Sequence, residues 1–449
     1  MSDLNTAISG PMVQEYKSIS SLKVNRVSIQ PENKTSLELS AGNTSDVYFQ
    51  FPSRPHSFLN GKNSYLTFQY KYNGTHQAGK AVQIASGCGQ NFIKNVEVIM
   101  GSTSVELLQE YDGIASVIDD FQSQSRSQTL ANILEDKQSS DVSYNRIKQG
   151  VVRSIDSTSA DGYNLRRVSI PLMSLAVGQL QDKYMPMGQD FGLRLRITFN
   201  DPNVVLVATT GTTSAMAYKL EDITYEAEYL DSDAETYNAI VNESGGILKV
   251  SGTGISNFST SLPESAGAST NTVLVPARYS SVRNYFTTMR LAGSVNSPLY
   301  NSSGSRTRAN LESWVYRIHG KNYPQLPVVA DEYNSSETMC EVLKCFHALH
   351  DTQTNCVFNA PQWVSNGYTT SGGTHTLTND LDSSFLIGVE FEENSFSSSQ
   401  LSGISTNSSN TFIEMRHSAG YPALVLNTYC FYDSIIEMNV ATGEVMVSR

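Results

Sequence analysis

The amino-acid sequence predicts an all-β protein in two domains, and three of its properties lead to that prediction. The chain has 449 residues, more than a single hydrophobic core usually serves. Only 16% of the residues are charged, and clusters of Ser, Thr, Asn and Gly separate the apolar stretches. This composition suits short strands joined by turns. Within the apolar stretches, hydrophobic residues recur at every second position, which is the period of a strand with one buried face.

Strands of this kind fill the region from residue 35 to residue 72. Val47, Phe49 and Phe51 alternate with polar residues, and the pattern returns after residue 63. Between these stretches, residues 52–63 are rich in Pro, Ser, Gly and Asn. That segment is predicted to be a turn or loop.

A β-hairpin followed by a helix is predicted within residues 92–121. Apolar residues alternate over 96–100, the small residues 101–104 turn the chain, and alternation resumes at Val105. After the hairpin, apolar residues fall at helical spacing as far as Phe121. The following polar stretch, up to residue 161, is predicted to be an outer loop.

Further strands are predicted over 165–172, 191–199 and 220–229, and an acidic, helix-compatible segment then ends at Gly245 and Gly246. We place the domain boundary there. The predicted organisation is a flexible N-terminal arm over residues 1–25, a first domain over 26–232, a linker over 233–246 and a second domain over 247–449.

The second half of the chain shows the same pattern of alternating apolar residues, turns and a helix as the first. Trp314, Tyr316 and Ile318 alternate with polar residues, and Asn334 is the predicted cap of a helix that runs to about residue 349. Late strands are predicted over 385–391, 411–415 and 423–432. Each half could therefore hold the eight strands of a jelly roll with a short inserted helix. Spacing alone leaves open whether the halves share one topology.

Several local sequences, taken in order, carry a resemblance to one family. They are Ile93–Gly101 with the helix after it, Ile170-Pro171-Leu172, Tyr184–Met187, Arg317–Pro324, Leu401–Thr406 and Tyr432–Met438. The chain resembles the double jelly-roll major capsid proteins of tailless icosahedral DNA viruses. That lineage includes adenovirus hexon and the coats of large nucleocytoplasmic DNA viruses, virophages and polinton-like viruses.

The resemblance implies a structural protein of the virion rather than an enzyme. Three copies would form a pseudo-hexameric capsomer that tiles an icosahedral shell. The expected partners are neighbouring capsomers, minor capsid and penton proteins and, in some members of the lineage, a membrane beneath the shell. The N-terminal arm would lie near the inner face. The loop over residues 293–308, like the one after residue 121, would form at most a modest tower.

Charge and hydropathy agree with that expectation. The formal net charge of −12 argues against general phosphate neutralisation, so no nucleic-acid binding is predicted. The sequence shows neither a run of about 18 apolar residues nor a signal peptide, so we expect assembly inside the host cell rather than secretion. The five cysteines are an odd number, which favours reduced thiols over a disulfide framework.

One cluster of potential metal ligands stands out in the sequence: Cys340, Cys345, His347, His350 and Cys356. Zinc needs about four such ligands in a tetrahedral arrangement. In a helix, however, residues 345 and 347 point about 200° apart. Buried thiols and polar helix positions are therefore favoured, while metal binding by these residues is left open.

Other motifs fail on their spacing. Asp231, Asp233 and Glu235 suggest a calcium loop, but it lacks the required glycine and terminal glutamate. Gly252 and Gly254 lack the third glycine of a dinucleotide-binding loop. No catalytic, cofactor-binding or metal-binding residue is assigned from the sequence.

Two other classes of function are compatible with a β protein of this size. A carbohydrate-binding or adhesive β-sandwich protein would present exposed aromatic residues, and the chain has only two tryptophans, Trp314 and Trp363. A cupin-type enzyme would need His and Glu clustered on adjacent strands, and the sequence shows no such motif. The carbohydrate-binding or adhesive protein remains the alternative function.

Overall fold

The computed structural model describes residues 23–73, 82–85, 88–121, 166–188, 191–208, 216–300, 302–349, 358, 360–371, 374–377, 383–392 and 403–449. The predicted outer loop over residues 122–161 and most of the predicted arm lie outside these residues.

The first half contains twelve described strands and, between or after them, three helices. The strands are β1 (Lys23–Ile29), β2 (Leu37–Ser40), β3 (Ser45–Gln50), β4 (Ser57–Tyr72), β5 (Val82–Ile84), β6 (Ile93–Met100), β7 (Thr103–Leu108), β8 (Arg166–Ile170), β9 (Met185–Pro186), β10 (Leu193–Phe199), β11 (Leu206–Ala208) and β12 (Ala217–Asp231). The helices are α1 (Tyr111–Asp120), α2 (Pro202–Val205) and α3 (Ala234–Glu243).

The second half contains eleven described strands and two helices. The strands are β13 (Ile247–Leu262), β14 (Ser269–Val275), β15 (Val282–Leu291), β16 (Leu311–Ile318), β17 (Lys321–Val329), β18 (Tyr368–Ser371), β19 (Thr374–Leu377), β20 (Ile387–Glu390), β21 (Thr411–His417), β22 (Leu424–Asn439) and β23 (Val445–Ser448). The helices are α4 (Ser336–Cys345) and α5 (Ala360–Val364).

The two halves share one strand topology. In the first half the main sheets have the orders β1-β12-β4-β8 and β3-β10-β6-β7, and in the second half β13-β22-β15-β20 and β14-β21-β16-β17. We call the eight strands of these two sheets the main strands of each half and number them 1 to 8 in chain order. In both halves one sheet then has the order 1-8-3-6 and the other the order 2-7-4-5. This is the order of a jelly roll. The fold is therefore two tandem jelly rolls, as predicted, each with a helix between its fifth and sixth strands.

The core of each jelly roll lies between its two sheets. On β10 the apolar residues Leu193, Leu195 and Ile197 are buried, while Arg194 is exposed and Arg196 half-buried. The predicted half-exposed strand is thus observed. Full burial of such side chains contributes about 1.5–3 kcal/mol each relative to exposure, so this alternation fixes which face of the strand packs inward.

Strand β4 begins earlier than the sequence predicts, because residues 57–63 are strand rather than loop. The polar and small residues there make hydrogen bonds and allow close contact with neighbouring segments. The backbone N–H of Gly61 donates to Oε1 of Gln181 at 2.7 Å, and the backbone of Gly178 lies so close that a β-carbon at position 61 would clash with it. Ser64 accepts a hydrogen bond from the Glu228 backbone where the pairing with β12 shifts register. A β-bulge therefore interrupts the alternation that sequence reasoning relies on.

The N-terminus of α4 also differs from the prediction. Its N-cap residue is Ser335, not Asn334. The backbone N–H of Asn334 instead donates to Oδ1 of Asp331 at 2.7 Å, and its side-chain amide contacts the same carboxylate. At the start of the chain, residues 23–25 are paired with β12, although the sequence places them in the arm.

Candidate assembly interface

The predicted metal ligands are not brought together in the part of the chain that the structure describes. Cys340 is exposed and Cys345 is buried, and both are free thiols. Burial raises the pKa of Cys345 well above its usual range, and its Sγ lies 3.3 Å from the backbone oxygen of Glu341. His350 and Cys356 lie outside the described residues. Cys345 therefore behaves as a small buried side chain.

His347 instead lies between two carboxylates that sequence reasoning missed. Its Nδ1 is 3.5 Å from Oε1 of Glu390, and its Nε2 is 3.6 Å from Oε2 of Glu392. Nε of Arg283 lies 2.8 Å from the other oxygen of Glu392. Each ring nitrogen thus faces its own carboxylate. Glu390 is the last residue of β20 and Glu392 comes two residues later, too far along the sequence from α4 for spacing to connect them.

Helix α1 of the first jelly roll is inserted against the second. Of its ten residues, eight are buried: Tyr111, Asp112, Gly113, Ile114, Ala115, Ser116, Val117 and Asp120. At its N-terminal end, Nη2 of Arg290 lies 3.1 Å from Oε2 of Glu110. At its C-terminal end, the guanidinium of Arg306 pairs with Asp120, and both side chains are buried. Two arginines of the second jelly roll therefore hold the two ends of one helix of the first.

Aromatic side chains add to this interdomain contact. Phe121 stacks on Phe346 with the ring centroids 4.7 Å apart and meets Phe358 edge-on at 5.3 Å. Arg306 belongs to the segment expected to form a modest tower, but the described residues 302–308 are buried. That expectation does not hold for residues 302–308, because they form part of the interdomain contact. Sequence pattern could not reveal this, since Ser, Gly, Thr and Arg are typical of exposed loops.

Sheet edges meet at the same interface. Strand β7, the fifth main strand of the first jelly roll, lies against β13 and β23 of the second. Nη2 of Arg449 donates to the backbone oxygen of Ser104 at 2.9 Å, and the N–H of Asp182 donates to the oxygen of Ser251 at 3.3 Å. The edge strand β7 is thereby covered within one chain.

A polar cavity of about 430 Å³ lies beside α1, between the two jelly rolls. Its lining includes the side chains of Lys94, Asp112, Asp201 and Arg290. Burial, followed by the nearby charge of Glu110, raises the pKa of Asp112 to about 7. The cavity holds charges of both signs, and we assign no reaction to it.

The fifth main strand of the second jelly roll, β17, is open by contrast. Its Leu326 is 76% exposed, and Tyr333, just before α4, is 88% exposed. Two prolines, Pro324 and Pro327, interrupt its pairing with β16. On the first jelly roll, Val24 of β1 is 62% exposed. Large exposed apolar patches mark interaction surfaces, whereas single exposed apolar residues are common on protein surfaces. No helix among the described residues is long and apolar enough to cross a membrane.

Comparison of this fold with solved structures gives clear similarities. The chain is similar to the PBCV-1 virus capsid protein, with a TM-score of 0.56, 10% identity, and 95% of this chain and 97% of that chain covered. It is similar to the Faustovirus major capsid protein, with a TM-score of 0.55, 8% identity, and 92% of this chain and 90% of that chain covered. It is also similar to the mavirus major capsid protein, with a TM-score of 0.52, 8% identity, and 94% of this chain and 90% of that chain covered.

The sequence itself is matched by no family model and by no curated protein. The similarity is therefore one of fold, and it extends over nearly the whole of each chain. It agrees with the strand orders given above: the chain has the double jelly-roll fold.

Proposed function

We propose that this chain is the major capsid protein of an icosahedral DNA virus, and that three copies form a pseudo-hexameric capsomer. The repeated jelly-roll topology carries the proposal. One chain supplies two lobes of the same design, so three chains supply the six lobes of a near-hexagonal block. Solved proteins that share this fold over nearly their full length are capsid proteins.

In this proposal the chain is not an enzyme and needs no cofactor. Its partners are copies of itself, neighbouring capsomers, and minor capsid and penton proteins, and its location is the virion. We propose the domain limits given by the sequence, a first domain over residues 26–232 and a second over 247–449, with a linker over 233–246 between them. Residues before Lys23 would act as an arm towards the inner face.

The alternative, a carbohydrate-binding or adhesive protein, gains no support from the tryptophans. Trp314 is 1% exposed and Trp363 is 4% exposed, so neither offers a ring to a sugar. Trp314 also donates from its Nε1 to Thr338 at 3.0 Å, which fixes it inside the second jelly roll.

The proposal is tested by measuring the mass of the purified chain by light scattering after size exclusion, and by electron microscopy at high protein concentration. We expect a trimer of three 49.2 kDa chains and hexagonal blocks in projection. A stable monomer that binds glycans and forms no blocks would contradict the proposal and favour the alternative.

A further inference from the structure

The helices α1 and α4 occupy the same place in the two jelly rolls, yet they are covered to different extents. Each follows the fifth main strand of its jelly roll. Eight of the ten residues of α1 are buried. The helix packs on β6 of its own jelly roll and also meets Arg306 and Tyr429 of the second jelly roll. In α4 only Thr338, Val342 and Cys345 of the ten residues are buried. Helix α4 therefore lacks the cover that α1 receives.

The strands that precede these helices, β7 and β17, also differ in how far they are covered. Strand β7 lies against β13 and β23 of the second jelly roll. Its equivalent, β17, is the open edge of its sheet, and residues 321–327 are exposed or half-exposed. The exposed Leu326 and Tyr333 both precede α4 in the chain. The second jelly roll thus presents an uncovered copy of the surface by which the first jelly roll binds its neighbour.

The surface that contacts β7, which we call the receiving surface, also has an equivalent in the other jelly roll. Strand β13, the first main strand of the second jelly roll, receives β7. Its equivalent in the first jelly roll is β1, an edge strand paired with β12. Five of the first six residues of β1 are exposed, including Val24 at 62%. Within the described residues, this receiving surface has no jelly roll packed on it as β13 has.

We infer that the surface of β17 and α4 docks on β1 of the first jelly roll in the next copy, repeating between chains the contact that α1 and β7 make within one chain. This inference rests on the proposed function and names the surfaces that would hold the capsomer together. Among the described residues each chain has one uncovered docking surface and one uncovered receiving surface, so the contacts run head to tail. A ring closes when the last copy meets the first.

The two surfaces are tested by single charge insertions. Leu326→Asp places a carboxylate on the docking surface, and Val24→Asp places one on the receiving surface. Tyr333→Asp is a second variant of the docking surface. Leu274→Asp is the matched control, because Leu274 is also an exposed apolar residue, 45% exposed, on β14 at the opposite edge of the same sheet. We expect the first three variants to fall from trimer to monomer, a threefold loss of mass, with unchanged circular dichroism. The control is expected to remain a trimer.

Mixing distinguishes a head-to-tail contact from a symmetric one. A Leu326→Asp chain keeps an intact receiving surface, and a Val24→Asp chain keeps an intact docking surface. An equimolar mixture should therefore form a dimer of the two variants, whereas each variant alone stays monomeric. Trimers that survive all three substitutions would overturn the assigned surfaces and leave the proposed function standing. A monomeric wild-type chain would contradict the proposed function itself, and the surfaces with it.

Discussion

The hydroxyl of Tyr429, on β22 of the second jelly roll, occupies the space in which a β-carbon on Gly113 would stand, in the first turn of α1. The same hydroxyl donates to the backbone oxygen of Glu110 at 3.0 Å. The two jelly rolls approach this closely because position 113 carries no side chain. A glycine within a helix is usually unfavourable, and here its small size serves the packing.

Gly113→Ala is therefore expected to destabilise the chain by about 1–3 kcal/mol, the usual cost of overpacking. Helix propensity alone predicts the opposite sign, a gain of about 1 kcal/mol. Thermal or denaturant unfolding measures the change. Gly267→Ala is the control, since no atom lies within 4 Å of a β-carbon there. Adding Tyr429→Phe to Gly113→Ala should restore part of the loss; a more stable Gly113→Ala chain would contradict this packing.

Arg306→Met should cost about 3–5 kcal/mol, because it leaves the carboxylate of Asp120 buried without its countercharge. Arg167→Met is the comparison: its ion pair with Asp222 is exposed, and such pairs contribute at most about 1 kcal/mol. The double variant Arg306→Met with Asp120→Asn should recover much of the stability. Equal losses for Arg306→Met and Arg167→Met would show that the interdomain pair has no special role.

The stability of the chain should depend on the protonation of Asp112. Burial raises the pKa of this carboxyl to about 7 in the folded chain, against 3.8 for the ordinary group. Folding therefore favours the protonated form, and the contribution of Asp112 to stability falls as pH rises from about 4 to 7. Asp112→Asn should remove this loss. At pH 8 the variant should be the more stable by on the order of a few kcal/mol.

The difference between wild type and Asp112→Asn is the quantity to follow, because other carboxyl groups titrate in both chains. It should shrink towards pH 4 and level off above pH 7. A difference that does not change across this range would show that Asp112 has no shifted pKa.

Chelation is expected to leave the melting temperature unchanged. The only group of three or more potential ligands in the described part of the chain is His347 with Glu390 and Glu392. Each ring nitrogen faces its own carboxylate, and Arg283 already pairs with Glu392. Melting curves with and without EDTA, together with elemental analysis of the purified chain, test this. A lower melting temperature with EDTA and one zinc per chain would revive a metal site there.

Sequence reasoning worked where local pattern decides the structure. The hairpin of β6 and β7 and strand β10 have regular spacing, since each buries one face against a single core. Helix α1 was predicted from its apolar spacing, although it is buried on more than one face. Prediction from the sequence failed at residues 57–63. There Gly61, like the adjacent Ser64, is hydrogen-bonded to a residue far away in the sequence. Polar composition there predicts a loop, although Ser57, Asn60 and Asn63 each have a hydrogen-bond partner in the fold.

The interdomain contact could not be predicted from sequence for a related reason. Arg306 and Asp120 are 186 residues apart, and neither lies in a pattern that signals burial. A buried ion pair is visible only when both partners are placed in space. The equivalence of α1 and α4 likewise required the strand orders, because the two helices share no sequence pattern beyond an apolar face.

Pro324 and Pro327 on β17 have a consequence for contacts between this strand and other molecules. Proline has no backbone N–H, so this edge cannot continue its sheet into another molecule by a regular hydrogen-bonded ladder. Contact at β17 must then be made by side chains such as Leu326, which a specific neighbour can match and an arbitrary strand cannot. We therefore expect concentrated protein to resist cross-β association at this edge.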